Sequence, residues 1–291
     1  SYEDSMYVRM AMGALPLWRE IESESGTPLM TILGGLDFGA DLSPNIRALQ
    51  QSGASFDLID AQEATGRFPA IALPGADRVL FQGDAGIVFA DAAVRAFIDV
   101  AKRRGVEMLE RAPVLEVQPN DDSVVVRTDA ETFRVRRAVV TAGAWVRALL
   151  AGSGIDVPVV PTRETVAYFD HEDEMTVPIL VDRGSPFVYA LPDPGHGIKV
   201  GGHHTGPPTD PNEEGPVNTD AVDILAQWVG RHYPKADPRP REAETCLYTN
   251  TTDERFILER HGSLVVGSPC SGHGFKFAPL IGERLAELAL G

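Results

Sequence analysis

The chain has 291 residues, of which 43% are hydrophobic and 23% charged, and its formal net charge is −16. This length suits one large domain or two of ordinary size with a real core, and the acidity argues against nucleic acid and anionic membranes as partners. The chain has only two cysteines, which argues against a disulfide framework and indicates a reducing, cytoplasmic setting. It has no run of about 18 apolar residues, so no transmembrane helix is expected.

The first part of the chain alternates helical and strand patterns. Apolar residues recur at helical spacing from Asp4 to Glu24, and Gly26 can end that helix. Residues 29–38 form an apolar run that predicts a single strand with a bulge at its two glycines. Turn and capping residues then predict helices at 43–52 and 60–67 and strands at 56–59, 78–82 and 86–89, the last two around a Gly83-Asp84 turn.

The middle of the chain continues in the same style. A helix is predicted over 91–105, with a strand over 106–109 directly after it. A three-stranded meander at 114–117, 123–128 and 132–135 comes next. The apolar strand 138–141 ends in Ala142-Gly143-Ala144-Trp145 and a helix start, which is the layout of a nucleotide-side turn.

From Val157 onward strands dominate, at 165–169, 179–181, 187–191 and 198–202, followed by a helix over 220–233 and a strand over 242–249. The chain then returns to strand, turn and helix, with the last helix over 278–290. The fold class is therefore α/β with two domains. We expect an α/β domain built from 1–27, 83–155 and 246–291, and an antiparallel β-sheet domain built from 28–82 and 156–245.

The turn from Cys270 to Phe277 has the sequence CSGHGFKF and lies between an apolar strand and the last helix. Glycines let backbone N–H groups approach a ligand closely, and a helix N-terminus favours negative charge. With His273 and Lys276, the turn could hold an anion or a flat polar cofactor. The alternative is a purely structural loop between strand and helix.

Other polar side chains also allow two interpretations. Lys199 lies in the apolar strand 198–202, where it either points to solvent or lies at the floor of a site and steers an anionic intermediate. Cys246 is either an inert small hydrophobe or a nucleophile or covalent attachment point. His171, His203 and His204 lack partners at metal-ligand spacing, so no metal site is predicted.

Three common catalytic motifs are missing from the sequence. No GxGxxG follows a strand and no GxxxxGK[ST] occurs, which excludes a P-loop. No GxSxG elbow occurs either, which argues against an α/β-hydrolase.

Four segments carry a resemblance to a known family: Ala142-Gly143-Ala144-Trp145, Ile198-Lys199-Val200-Gly201, Cys246-Leu247-Tyr248-Thr249 with Thr252-Asp253, and Ser271-Gly272-His273-Gly274-Phe275-Lys276. In this order and spacing the chain resembles the monomeric sarcosine oxidase and N-methyltryptophan oxidase group of the D-amino-acid-oxidase-like FAD enzymes. The resemblance runs from about Asp4 to Gly291. It implies an FAD-binding α/β domain, an antiparallel sheet domain that covers the flavin, and a monomer.

The resemblance also implies roles for individual residues. Cys246 would join the flavin through a thioether to its 8-methyl carbon, Lys199 would activate oxygen above the flavin, and Lys276 would pair with the substrate carboxylate. The substrate side would be lined by His203, Tyr189 and Tyr248. The cofactor would be contacted by Val114, Ala142, Gly143, Trp145, Gly272, His273, Gly274 and Lys276, with Val114 meeting the adenine.

The implied reaction is oxidation of a small amino acid that bears a secondary amine. A hydride goes to the flavin, water hydrolyses the resulting imine, and O₂ is reduced to H₂O₂. Sarcosine, N-methyltryptophan, pipecolate, proline and a glycated amino acid all stay open as substrates. The alternatives are a non-catalytic binding or chaperone-like protein that keeps the fold, and an amine dehydrogenase with another electron acceptor.

The chain departs from the family pattern at its ends. The family's first strand, its GxGxxG turn and an arginine that shares the carboxylate would all lie before Ser1, and a short tail would follow Gly291. We therefore expect a fragment or a sequence without its ends. These 291 residues alone are expected to bind FAD poorly or to misfold, and so to be inactive.

Overall fold

The computed structural model describes residues 1–172 and 176–291. Within them, the helices are α1 Ser5–Ser25, α2 Ser43–Ser52, α3 Ala61–Arg67, α4 Ala90–Arg103, α5 Val146–Leu150, α6 Thr219–His232 and α7 Ala278–Leu290. The strands of the first half are β1 Met30–Ile32, β2 Gly35–Phe38, β3 Asp57–Ile59, β4 Val79–Gln82, β5 Gly86–Val88, β6 Val114–Pro119, β7 Val124–Thr128, β8 Thr132–Val135 and β9 Ala138–Val140. Those of the second half are β10 Val160–Phe169, β11 Ile179–Asp182, β12 Val188–Asp193, β13 Gly197–Gly202, β14 Glu242–Asn250, β15 Ile257–His261 and β16 Leu264–Ser268. These elements confirm the predicted α/β class.

The largest sheet has the strand order β14-β10-β13-β12-β11-β2-β4-β3. Its pairs are antiparallel except β11 with β2, which run parallel. One face packs against α6, and alternate residues of the central strands are buried hydrophobes that form a core on that side. This core includes Leu36, Phe169, Leu180, Val188, Ile198, Trp228 and Val229. The other face is therefore the one left for a site.

A second, smaller sheet has the order β15-β16-β9. Strand β9 runs parallel to β16, and α7 packs on β15 and β16. Helix α1 packs against α2, α4 and α7, with Asp4 capping its first turn and Gly26 ending it in a left-handed conformation at φ 71°. The strands β6, β7 and β8 form the predicted meander as a separate sheet.

The structure corrects two predictions about local structure and confirms a third. Residues 29–38 are two strands, because β1 pairs with β5 whereas β2 pairs with β4 and β11. Strands β4 and β5 form around Gly83-Asp84 as predicted, and they lie in different sheets. Residues 106–109 form no strand; the chain is irregular there after α4 ends. One strand, β15, has no counterpart in the prediction.

The described residues contain no candidate for a membrane-spanning helix. None of the helices within 1–172 and 176–291 is both long and apolar enough to cross a membrane. The predicted division into two domains stays a prediction. Eight strands drawn from residues 35–82 and 160–250 share one sheet, which puts residues 246–250 of the predicted α/β domain in that sheet as well.

Candidate active site

One face of the large sheet collects four of the side chains that the sequence singles out. Directly opposed residues in paired strands project to the same side, and residues two apart along a strand share that side. The register therefore brings Lys199, Tyr189, Cys246 and Tyr248 to the face that α6 does not cover. The opposed pairs are Lys199 with Tyr168, Tyr189 with Gly201, Cys246 with Glu164, and Tyr248 with Thr162.

Lys199 is held on this face by an anion and a ring. Its Nζ lies 3.8 Å from Glu244 Oε1 and 5.3 Å from the centre of the Tyr168 ring. Tyr168 in turn donates its hydroxyl proton to Glu244, and burial raises the pKa of Tyr168. With 31% of its side chain exposed, Lys199 keeps a partly open ammonium on the site face.

Cys246 is a free, half-buried thiol on the same face. Burial raises its pKa above the ordinary value of 9.0, and the positive charge of Lys199 opposes part of that shift. The thiol is therefore protonated at neutral pH. Cys246 is accessible from the site but is not a freely reactive surface thiolate.

Tyr189 and Tyr248 form a hydrogen-bonded pair in which Tyr248 donates to Tyr189. Burial raises the pKa of Tyr189 to about 12 and that of Tyr248 further still. Both rings are therefore neutral at any physiological pH. They give the face an apolar wall with one polar edge.

His203 lies directly after β13 and is flanked by rings. Its ring centre is 5.0 Å from that of Phe187, 5.9 Å from that of Tyr248 and 4.0 Å from that of His204. Burial first, and then nearby positive groups, lower the pKa of His203 to about 3. At neutral pH it therefore presents a neutral imidazole.

The turn after β16 is tied to the end of β14. Ser271 N donates to Thr249 O at 2.8 Å, so the turn lies against the tyrosine wall. Gly272 has φ +75°, and a Cβ there would lie 2.1 Å from a ring carbon of Tyr248. A Cβ on Gly274 would lie 1.6 Å from Pro269 O. Glycine is therefore required at both positions, because neighbouring atoms leave no space for a Cβ, which explains this part of the SGHGFK motif.

Lys276 starts a chain of hydrogen bonds. Its Nζ donates to Tyr2 Oη at 2.8 Å and to His273 O at 3.1 Å. His273 Nε2 lies 3.2 Å from Glu254 O, a carbonyl that can only accept, so Nδ1 is the acceptor for the Tyr2 hydroxyl at 3.2 Å. This order assigns one tautomer to His273.

The charge state of this chain follows from its setting. The Lys276 residue is exposed, and protein atoms surround its ammonium on the side of Tyr2 and His273. Desolvation lowers the pKa of Lys276 to about 8, and burial lowers that of His273 to about 4. At pH 7 Lys276 is therefore a cation beside a neutral imidazole.

Glu164 anchors the segment that carries the two neighbouring histidines. The residue is fully buried, and its carboxylate accepts from Thr205 N at 2.9 Å and Gly206 N at 2.7 Å. It also accepts from the Thr162 hydroxyl at 2.6 Å. These bonds hold the chain directly after His204 against β10.

A second group of predicted residues lies at the ends of parallel strands. Because β9 and β16 run parallel, the turn 142–145 and the turn 269–276 leave the same edge of the small sheet, which is where α/β folds bind ligands. Gly143 has φ +53° and open space around its Cβ position. Trp145 is 45% exposed, donates to Asn212 Oδ1 at 2.9 Å and belongs to a turn that contacts β14.

The predicted site residues thus fall into two connected groups. The first lies on the sheet face and the adjoining turn, and consists of Lys199, His203, Tyr189, Tyr248, Cys246, Gly272, His273, Gly274 and Lys276. The second consists of Ala142, Gly143 and Trp145, which reach the first through β14. Val114 begins β6 and is 39% exposed.

The comparisons with known proteins identify the family of the chain. The family described as DAO, FAD dependent oxidoreductase, matches residues 1–288. The chain belongs to the DAO family of FAD-dependent oxidoreductases. This confirms the resemblance and the expected enzyme class, an FAD-dependent amine oxidoreductase.

Named relatives show the same relationship along the whole chain. The chain is 32% identical to peroxisomal sarcosine oxidase of Homo sapiens, over 100% of this chain and 79% of the relative. It is 29% identical to monomeric sarcosine oxidase of Bacillus sp. (strain B-0618), over 99% and 78%. The structure of NikD, an unusual amino acid oxidase essential for nikkomycin biosynthesis, superposes with a TM-score of 0.88 at 25% identity, covering 100% of this chain and 81% of NikD.

FAD, the cofactor of the DAO family, fits the residues at this site. A flat cofactor needs exposed apolar surface, close backbone approach and a few polar groups. Trp145 leaves apolar surface exposed, and Gly143 faces open space in a conformation that suits glycine. Lys199 and the thiol of Cys246 supply polar groups on the adjoining sheet face.

Tyr2 and Glu164 are among the residues at this site that have no part in the sequence prediction. Tyr2 precedes the α1 cap and lies in no pattern that would point to Lys276, 274 positions away. Glu164 left a weak signal, since a lone carboxylate in an apolar strand needs buried partners. Both are positioned by tertiary contacts alone.

Proposed function

We propose that this protein oxidises a small amino acid bearing a secondary amine and passes the electrons to O₂. The C–H bond beside the nitrogen loses two electrons and a proton, the nitrogen loses its own proton, and a C=N bond forms. Water then cleaves the C=N bond to a carbonyl compound and an amine, while O₂ gains two electrons and two protons to become H₂O₂. Bound FAD would carry the two electrons from amine to O₂.

The hydrogen bonding of the Lys276 ammonium is the observation that carries the choice of substrate class. An ammonium has three N–H donors, and Lys276 gives two of them to Tyr2 Oη and His273 O. The third is left for a ligand, and the cation favours a carboxylate. A carboxylate bound there would orient the rest of the substrate toward the tyrosine wall and His203.

The other residues have roles that follow from their positions. The substrate side is lined by uncharged groups, namely Tyr189, Tyr248 and the neutral His203. They would exclude water from the amine and favour binding of the amine in its uncharged form. Lys199 would stabilise negative charge that develops during O₂ reduction. Cys246 would bind the flavin covalently, because it is accessible on this face beside Lys199.

A substrate panel tests the reaction. The FAD-loaded holoenzyme is given sarcosine, N-methyltryptophan, pipecolate and proline in air, with H₂O₂ as the readout. We expect peroxide with at least one of them. If turnover occurs only with an artificial electron acceptor, O₂ is not the acceptor and the protein is a dehydrogenase. If none of the secondary amines reduces the flavin, the proposal is wrong.

Lys276→Met tests the carboxylate site. We expect a large loss of kcat/KM for amino acids, and a much smaller loss for a secondary amine without a carboxylate. Lys235→Met, at an exposed lysine far along the chain, is the matched control. Equal losses for both kinds of amine would show that Lys276 does not select the carboxylate.

Covalent attachment has its own test. Flavin colour should stay on the acid-precipitated protein and be lost from it in Cys246→Ser. Cys270→Ser, which changes the chain's other cysteine, should leave it attached. Release from the unaltered protein would overturn the covalent assignment while leaving the oxidase proposal in place. The cytoplasmic location and the monomeric state remain predictions.

A further inference from the structure

Three ligand-type side chains converge beside the proposed substrate side. One nitrogen each of His203 and His204 and one carboxylate oxygen of Glu254 all lie within 4.8 Å of one another. His204 Nε2 and Glu254 Oε1 are 3.6 Å apart. In a tetrahedral zinc site with bonds of about 2.0–2.1 Å, neighbouring ligand atoms are about 3.4 Å apart. Small side-chain rotations would therefore bring all three atoms to coordination distance.

We propose that His203, His204 and Glu254 form a site for a divalent transition-metal ion of the Zn²⁺ class. Two imidazoles and one carboxylate are a recognised three-ligand set for zinc, with the fourth position left open. The histidines follow β13 and Glu254 follows β14, so the site exists only because β10 brings those two strands together. This explains why histidine spacing in the sequence predicted no metal.

The backbone around the three ligands is fixed by separate contacts. His203 N donates to Phe187 O at 3.0 Å. The residue after His204, Thr205, is held by Glu164. The backbone carbonyl of Glu254 accepts from His273 Nε2 at 3.2 Å. Ligands on anchored backbone lose little freedom when a metal binds, which favours binding.

Two of the three ligands also have an unusual backbone conformation. His204 has φ 54° and Glu254 has φ 58°, both in the left-handed region that L-residues rarely adopt. Such conformations persist where surrounding structure enforces them, and they cluster at ligand-binding sites. Here they turn the two side chains toward each other. Within residues 1–172 and 176–291, the carboxylate of Glu254 forms its one ion pair with His204.

The open side of the site faces the proposed amine position. Both histidine rings lie within 6 Å of the Tyr248 ring, at 5.9 and 5.7 Å between centres. A metal ion on His203 would therefore occupy space that the substrate needs. Zn²⁺ binding itself is independent of the proposed function, whereas inhibition of amine oxidation by Zn²⁺ rests on it.

Calorimetric titration of the FAD-loaded holoenzyme with Zn²⁺ tests the site directly. We expect one Zn²⁺ per chain, with His204→Asn and Glu254→Gln each weakening the affinity at least about tenfold. Asparagine tolerates the left-handed backbone, so His204→Asn removes the ligand without adding strain. Mg²⁺, which prefers oxygen ligands, should not bind.

The exposed pair of His261 and Glu259, 3.2 Å apart on β15, provides a matched control. His261→Asn should leave the Zn²⁺ affinity unchanged. Affinity that is unchanged in both His204→Asn and Glu254→Gln, or weakened equally by His261→Asn, would overturn the site.

Kinetics then separate the two proposals. With an active amine, Zn²⁺ should raise the apparent KM and leave kcat unchanged, and His204→Asn should relieve this effect while keeping the basal kcat/KM. If the variants weaken Zn²⁺ binding but the metal never affects amine oxidation, the metal site stands. The position of His203 on the substrate side would then be wrong.

Discussion

The buried carboxylate of Glu164 offers a direct test of what holds the histidine segment in place. Glu164→Ala removes four hydrogen bonds, from Thr205 N at 2.9 Å, Gly206 N at 2.7 Å, the Thr162 hydroxyl at 2.6 Å and the Thr205 hydroxyl at 3.3 Å. Each backbone N–H left without a partner costs about 1–3 kcal/mol, and losing each hydroxyl bond costs about 1 kcal/mol or less, since water reaches the exposed Thr205. Because Thr205 is exposed, water can satisfy part of this, so we expect a loss of about 3 kcal/mol.

Urea unfolding of the variant and of the unaltered protein measures this loss as a change in the free energy of unfolding. The control is Glu116→Ala, whose carboxylate is 39% exposed and pairs with Arg127 at 2.9 Å. An exposed ion pair contributes at most about 1 kcal/mol. If Glu164→Ala costs no more than Glu116→Ala, Glu164 is not the anchor of this segment.

Three further predictions concern the turn with Lys276. The pKa of Lys276 in the folded protein, about 8, lies below the ordinary 10.5, so the cation is present below pH 8 and is lost above it. The affinity for a simple carboxylate, followed by flavin absorbance, should therefore fall from pH 7 to 9 as the protonated fraction of Lys276 drops from about 90% to about 10%. A constant affinity would contradict the assignment. Tyr2→Phe removes an acceptor that favours the ammonium, so the same titration should move to lower pH; an unmoved curve would make the contact merely structural. Gly272→Ala should lower the free energy of unfolding by about 2–5 kcal/mol, because left-handed strain adds to a clash with Tyr248, whereas Gly53→Ala, at φ +68° with open space around it, should cost only about 1–2 kcal/mol in the same urea assay.

Local signals predict the helices well. Helices α2 and α7 begin and end where the sequence pattern predicts, since proline, glycine and apolar spacing act within a few residues. The run 29–38 fails for the opposite reason. Whether it is one strand or two depends on which distant strands pair with each half, and β1 and β2 pair with different partners. No local pattern contains that information.

The same division holds at the candidate site. Motifs point to Lys199, Cys246 and Lys276 because chemically distinctive residues occur in apolar or glycine-rich surroundings. Tyr2 and Glu254 lie in ordinary surface-like sequence. They matter through tertiary contacts, Tyr2 with His273 and Lys276, and Glu254 with His273 and His204. Such residues become visible once the strand register is known.

The register also explains why the sequence motifs occur as a set. A Cβ on Gly201 would lie 2.6 Å from the Tyr189 hydroxyl, and one on Gly272 would lie 2.1 Å from the Tyr248 ring. The two tyrosines bond to each other, so each glycine makes room for one member of a single pair. The glycine of the lysine motif and the glycine of the SGHGFK turn are thus 71 positions apart but constrain the same wall of the site. A change in either motif alone would shift that wall, which is a physical reason for the two motifs to occur in one chain.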